Sequence, residues 1–263
     1  MQRIFPVPKT LLLFSLAWPL PLLLPAQFGE TIRTGRPGQA IGPFTVGKNV
    51  FQAQQGIDYY ETSKGFLLKS MVTNHVFRFG LTETVEISTV TDYRNDKIKF
   101  SDTTFTFSGF SNLQIGGRIH LMDNKGIRPS LSIQARVRTP WGSEEYQTNN
   151  FTPVVIVATG NKIGEKSGLS TNYIFSYGGG RLIANYVLNY GLSLTEKIGI
   201  FAEAYGAILP DATVLFDTGF SFLANSDLQF DLFGGYGMNR GVQDWFISTG
   251  ISWRMHKRSQ KVE

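Results

Sequence analysis

Residues 113–121, LQIGGRIHL, place apolar and polar side chains in regular alternation. The same alternation returns in residues 130–138, SLSIQARVR, and in residues 228–236, LQFDLFGGY. Because successive side chains of a β-strand point to opposite faces of a sheet, a period of two predicts strands with one apolar and one polar face. The three stretches therefore predict an all-β chain.

Turn-forming segments divide the rest of the chain into about twelve such stretches. The predicted strands cover residues 49–61, 66–79, 84–92, 105–121, 127–138, 151–160, 168–177, 181–192, 197–207, 213–223, 227–237 and 243–255. An even number of strands, most of them long enough to cross a bilayer at a tilt, is typical of a transmembrane barrel. Tight connections alternate with others, of which residues 93–104 and 139–150 are clearly longer. We predict an antiparallel up-and-down transmembrane β-barrel over residues 48–255, with its longer loops outside the cell.

Alternation alone also fits a soluble β-sandwich or a ligand-binding barrel, in which the apolar face points inward. Three observations favour the membrane barrel instead: the polar faces carry several charges, the strands are long, and aromatic residues lie at strand ends. These aromatics are Tyr59, Tyr60, Phe77, Phe79, Tyr186, Tyr190, Tyr236, Trp245 and Trp253. Aromatic girdles at both membrane interfaces are typical of such barrels.

Composition narrows the classes of function. The chain has no cysteine, which excludes disulfides and thiolate chemistry. The formal charge of +5 comes largely from the two ends, and no basic face of the kind that binds nucleic acid is present. No cluster of metal ligands stands out, so we expect neither cofactor nor metal.

The two ends predict export. Residues 1–26 combine a basic start, a short apolar core and a small residue at the end, as secretory signal peptides do, with cleavage near Ala26. Residues 27–47 form an N-terminal extension without strand alternation, which either plugs the barrel or lies in the periplasm. Residues 256–263 form a C-terminal tail. We predict the outer membrane of a Gram-negative bacterium.

If the apolar face meets lipid, the charged face lines the interior. The candidate lumen-lining residues are Arg78, Glu86, Arg118, Arg128, Arg136, Arg138, Glu203, Asp217, Asp231 and Arg254. One hypothesis is a constriction that selects solutes. The alternative is a paired polar core that stiffens the barrel.

The closing strand resembles the C-terminal signal by which bacterial barrels are recognised for insertion. Ser248, Gly250, Trp253 and Met255 occupy its polar, glycine, aromatic and hydrophobic places. The resemblance implies that the barrel-assembly machinery is a partner. The tail after Met255 departs from the pattern.

A catalytic alternative depends on His120. A lipid hydrolase needs a serine paired with a histidine, and Ser130 and Ser132 are predicted on the strand next to His120. Chance supplies such pairs in a serine-rich lumen. We therefore predict that the chain is not an enzyme.

Four passages resemble one family of outer-membrane transporters. They are residues 32–37 (IRTGRP) with 43–46 (PFTV) and 51–52, residues 77–87 (FRFGLTETVEI), residues 190–197 with 200–206, and residues 217–231 with 244–246. In this order they are similar to the family described as "Putative MetA-pathway of phenol degradation". The resemblance implies a channel or transporter for small solutes, hydrophobic or aromatic ones among them, with outer-membrane lipid around it. The alternatives are a plugged structural or loop-binding barrel and, third, an outer-membrane lipid hydrolase.

Overall fold

The computed structural model describes residues 29–63, 65–239 and 242–255. Within these residues, twelve strands form a closed antiparallel barrel in which sequence neighbours pair and the first strand pairs with the last. The strands are β1 (Phe51–Ser63), β2 (Leu67–Gly80), β3 (Val85–Phe100), β4 (Thr103–Met122), β5 (Ser130–Arg138), β6 (Thr152–Ile163), β7 (Ser167–Gly178), β8 (Arg181–Ser193), β9 (Ile198–Leu209), β10 (Leu215–Asn225), β11 (Leu228–Asn239) and β12 (Val242–Met255). The predicted fold class and strand number are confirmed.

The two faces of the wall differ in polarity as predicted. On β1, Gln52, Gln54 and Asp58 are buried, while Ile57 between them is exposed. The same holds on β11, where Asp231 is buried and its neighbours Phe230 and Leu232 are exposed. An apolar exterior around a polar interior is the arrangement of a barrel surrounded by lipid. In the described part of the chain, no helix is long and apolar enough to cross a membrane.

One predicted loop is wrong. Residues 93–104 were expected to connect two shorter strands, but β3 and β4 continue through them as a hairpin with residues 101–102 as its turn. Alternating side chains still pair there, as in the edge-to-face contact of Tyr93 with Phe110, whose ring centroids are 5.2 Å apart. Charged residues such as Lys97 and Lys99 obscure the alternation in the sequence without breaking the backbone ladder.

The expected alternation of tight and longer connections is also wrong. At the end of the barrel where residues 101–102 lie, other connections are as short as residues 179–180, and residues 139–151 are the long exception. That loop contains a 3₁₀ turn, Glu144–Tyr146, and packs on the β3–β4 hairpin. The Phe110 N–H donates to Ser143 Oγ at 2.9 Å, and the Ser143 N–H donates to the Phe110 carbonyl at 2.9 Å. The order at this end of the barrel therefore depends on contacts between the long loop and the β3–β4 hairpin, and not on the length of the connections.

Candidate functional site

Residues 29–50 are here called the inner segment, most of which lies inside the barrel. The Gly35 N–H donates to Gln54 Oε1 of β1 at 2.6 Å, and the Ile41 N–H donates to Asn172 Oδ1 of β7 at 2.8 Å. The Gln229 side chain of β11 donates to the Arg36 carbonyl at 2.9 Å. A single segment can reach strands on opposite sides of a closed barrel only from within. The structure therefore places residues 29–47 in the lumen, whereas the leader and residues 27–28 lie outside the described residues.

Strands β2 to β5 present a basic wall to the inner segment. Arg78 makes a two-pronged ion pair with Glu86, at 2.9 and 2.8 Å, and donates to the Phe44 carbonyl at 2.9 Å. Arg118 donates to the same carbonyl at 2.8 Å, and Glu86 accepts the Val46 N–H at 2.9 Å. Charge-assisted hydrogen bonds of this kind are stronger than neutral ones. The arginines thus hold the backbone carbonyls of the inner segment.

Strands β9 to β11 present an acidic wall on another part of the circumference. Glu203 accepts the Gln39 N–H at 2.6 Å and the Ala40 N–H at 3.0 Å. Asp217 on β10 lies directly opposite Glu203 on β9 in the strand register, and Asp217 is only 4% exposed. The carboxylates thus hold N–H groups of the inner segment. The basic and the acidic side chains therefore lie on different parts of the circumference, with the inner segment between them.

Arg36 is the central residue that the list of lumen candidates missed. Its guanidinium donates to Asp231 Oδ1 at 2.9 Å, to Ser248 Oγ at 2.8 Å and to Asn74 Oδ1 at 3.1 Å. Ser248 in turn donates to Asp58. Arg36 occurs in the 32–37 passage that carries the family resemblance, but that passage shows no strand periodicity. Its place in the lumen was therefore not predictable from alternation.

The remaining lumen candidates lie in three different places. Arg136 faces the inner segment at half burial, and Arg138 lies farther out and is exposed. Arg254 pairs with Asp227 at 2.7 Å and donates to the Gly29 carbonyl at 2.9 Å, which holds the start of the inner segment. The prediction for Arg128 is wrong: it lies in the turn before β5 and is exposed, because that strand begins only at Ser130.

The four residues of the predicted insertion signal divide between the two faces. Ser248 and Gly250 face Arg36 in the lumen, whereas Trp253 and Met255 are exposed on the outer face. A role in recognition by the assembly machinery stays a prediction.

His120 is engaged through both ring nitrogens. Nδ1 lies 2.8 Å from the Pro43 carbonyl, and Nε2 lies 3.1 Å from Asp123 Oδ1. Ser132 faces His120 across the β4–β5 ladder, but no hydrogen bond joins their side chains among the described contacts. A general base needs a free nitrogen within reach of its nucleophile. This geometry gives the hydrolase hypothesis no support.

An aromatic cluster occupies the lumen where alternation predicts polar side chains. Phe201, Phe233 and Phe246 are buried together, with Tyr60 and Tyr205 packed against them. The Phe233 and Phe246 rings meet edge to face with centroids 5.6 Å apart. Placing Tyr60 with the interface aromatics was wrong, because it stacks on Phe246 inside the barrel at 5.3 Å. Its neighbour Tyr59 contacts Trp245 on the outer face.

Comparison with known proteins gives a family and a fold. The family model described as "Putative MetA-pathway of phenol degradation" matches residues 34–255. The COG4313 outer membrane channel from Pseudomonas putida F1 has a similar structure, with a TM-score of 0.62 at 11% identity over 84% of this chain and 99% of that one. The NanC porin is also similar, with a TM-score of 0.52 at 8% identity over 76% of this chain and 100% of that one.

No curated protein sequence matches the chain. At such low identities the two structures establish the barrel architecture alone. The family match, in contrast, extends from the inner segment to the last strand. The chain belongs to the family described as "Putative MetA-pathway of phenol degradation".

Proposed function

We propose that this chain is an outer-membrane channel for small solutes with an aromatic or otherwise apolar body. The observation that carries the proposal is the aromatic cluster of Phe201, Phe233, Phe246, Tyr60 and Tyr205 inside an otherwise polar lumen. Lumen-facing positions of a transmembrane barrel are normally polar, because they meet water. The three phenylalanines are 6–8% exposed beside the inner segment. A solute that reaches them exchanges contact with water for contact with an apolar surface.

The inner segment sets the width of the pathway. Twelve strands enclose a bore between that of a filled eight-stranded barrel and an open sixteen-stranded pore. The inner segment takes up part of that bore and is tied to the basic wall, to the acidic wall and to Asp231 through Arg36. A solute therefore passes beside this segment, or passes when the segment moves. Selection by size and by contact with the rings follows from either route.

The same hydrogen bonds favour a second candidate, a plugged barrel that carries no solute. A segment held by several charge-assisted bonds is costly to displace. In this case the aromatic cluster only fills space between the segment and the wall. Transport measurements separate the two functions.

Liposome swelling with the mature chain tests the proposal. We expect phenyl glucoside, which is neutral and does not cross lipid readily, to enter at least as fast as the smaller glucose. Phe233→Ala should abolish that preference, because Phe233 lies in the lumen. Phe230→Ala is the matched control, since Phe230 is on the same strand but exposed on the outer face.

Two results would contradict the proposal. Entry of neither solute supports the plugged barrel. Entry ranked by size alone, unchanged in Phe233→Ala, supports a general pore without aromatic selection.

A further inference from the structure

A cavity of about 140 Å³ lies between the inner segment and the basic wall. Arginine side chains are the most numerous of its lining residues: Arg33, Arg36, Arg78, Arg118 and Arg136. No carboxylate belongs to the lining formed by the described residues. The cavity is separate from the aromatic cluster, with which it shares no residue.

The positive charges around this cavity exceed the negative charges that balance them. Glu86 balances Arg78 and lies 3.6 Å from Arg118 Nε, and Asp231 balances Arg36. The structure gives Arg136 no ion pair among the described residues. The Nε atoms of Arg118 and Arg136 are buried without a hydrogen bond there, and Arg118 is only 5% exposed. A buried charge without a partner is costly, so this wall has the capacity for a further anion.

The other part of the lining is apolar. Ile41 and Phe44 of the inner segment face Val76 and Val90 of the wall across the cavity. Arg33 stacks over the Phe44 ring at 4.1 Å, which places a guanidinium at the border between the apolar and the cationic part. An engineered protein cavity of about 150 Å³ accepts benzene, so a single ring is the size that fits here.

We propose that this cavity binds a small aromatic carboxylate, with its ring against Phe44, Val76 and Val90 and its carboxylate on Arg118 and Arg136. Guanidinium groups bind carboxylates through two parallel hydrogen bonds. Arg136 has no ion pair among the described residues and supplies one such guanidinium, while Arg118, which shares Glu86 with Arg78, adds a second positive charge beside it. This inference rests on the proposed function and narrows the class of solute that the channel carries. The aromatic cluster suggests a solute with an apolar body, and the cavity suggests that this solute also carries a negative charge.

Isothermal titration calorimetry of the mature chain in a non-ionic detergent, at neutral pH, tests the site. Benzoate should bind. Benzamide has the same shape but no negative charge, and acetate has the charge but no ring. Each of these two should therefore bind at least about tenfold more weakly than benzoate. Arg136→Gln should weaken benzoate binding by about tenfold or more, because the variant removes the charge, and hydrogen bonds between charged groups are stronger than neutral ones. Arg138→Gln is the matched control on the same strand, outside the cavity lining.

The outcomes are distinct from those of the swelling experiment, in which phenyl glucoside carries no charge. Equal affinity for benzoate and benzamide, or unchanged benzoate affinity in Arg136→Gln, would overturn the anion site while leaving the channel intact. Equal losses in Arg136→Gln and Arg138→Gln would show a general field and not a site, and would also overturn the proposal.

Discussion

At the scale of single residues, two glycines decide how the inner segment meets the wall. Gly56 and Gly250 are direct partners across the β1–β12 seam, and the Arg36 guanidinium lies over both. A Cβ atom at Gly56 would lie 2.2 Å from Arg36 Nη1, and one at Gly250 would lie 2.3 Å from Arg36 Nε. Real Cβ contacts are never this short. Because Gly56 and Gly250 have no side chains, they leave the space that the Arg36 guanidinium occupies when it contacts Asp231. Gly250 therefore has a structural role beside its predicted role in the insertion signal.

A double-mutant cycle tests this packing. Gly56→Val should destabilise the barrel by about 1–3 kcal/mol through overpacking, and Arg36→Ala should destabilise it by leaving Asp231 without its buried partner. In the double variant the valine occupies space that Arg36 has vacated, so the loss should be smaller than the sum by at least about 1 kcal/mol. Denaturant unfolding in lipid vesicles, followed by tryptophan fluorescence, measures all three. Gly191→Val is the control, since a Cβ there meets only Asn189 Oδ1, at 3.9 Å; strict additivity would show that Arg36 does not depend on the glycine.

At the scale of elements, the loop at residues 139–151 is held to the β3–β4 hairpin by side chains. The Tyr146 hydroxyl donates to Asp96 Oδ2 at 3.1 Å and to the Phe107 carbonyl at 3.3 Å. Loop tips are usually the most mobile parts of a protein. Here a tyrosine anchors the loop over the end of the barrel at which Arg94 and Arg138 lie.

This anchor has a predicted pH dependence. Burial and the adjacent Asp96 carboxylate raise the pKa of Tyr146 to about 12, from an ordinary value of about 10. Because the folded-state pKa is raised, the stabilisation of the loop should be fully present below about pH 10 and lost as the pH rises through about 12. The tyrosinate absorbance of the native protein, minus that of Tyr146→Phe, should show the transition near pH 12. A difference titration near pH 10 would contradict the anchored loop.

At the scale of the whole molecule, the barrel reverses the arrangement of a soluble globular protein. Its apolar residues face outward and its charges pair inward, so the medium around the barrel is part of its stability. Leu232 on β11 is exposed on the outer face near the middle of the strand. Ile127, in the turn between β4 and β5, is more exposed still, at 98%. The two positions differ in their distance from the barrel midplane.

That difference predicts a large effect at one position and a small effect at the other for the same substitution. Leu232→Arg should destabilise the barrel in lipid by about 2–4 kcal/mol, because it places a charge near the bilayer midplane. Ile127→Arg should change stability by less than about 1 kcal/mol, because the turn lies at the membrane edge. Urea unfolding in vesicles measures both. Similar small effects for the two variants would mean that the outer face does not meet hydrocarbon.

Alternation and charge placement in the sequence determined the fold class, the strand number and which face of each strand points into the lumen. These follow from a period of two, which local sequence expresses directly: Arg78, Glu86 and Arg118, for example, are buried on the polar faces of their strands. Arg128 was wrong because strand ends depend on which residues pair, and the β3–β4 extension was missed for the same reason.

Only the tertiary structure decided what the interior contains. The inner segment has no periodicity, so its path through the lumen follows from carbonyls that meet Arg78 and Arg118 and from N–H groups that meet Glu203. Phe201, Phe233 and Phe246 form one lumenal cluster because the registers of β9 to β12 place these rings at a common depth, and closure of the barrel through the β1–β12 pair adds Tyr60. A sequence records the face of each strand, but contacts between residues about 200 positions apart, such as Arg36 with Asp231, exist only once the barrel closes.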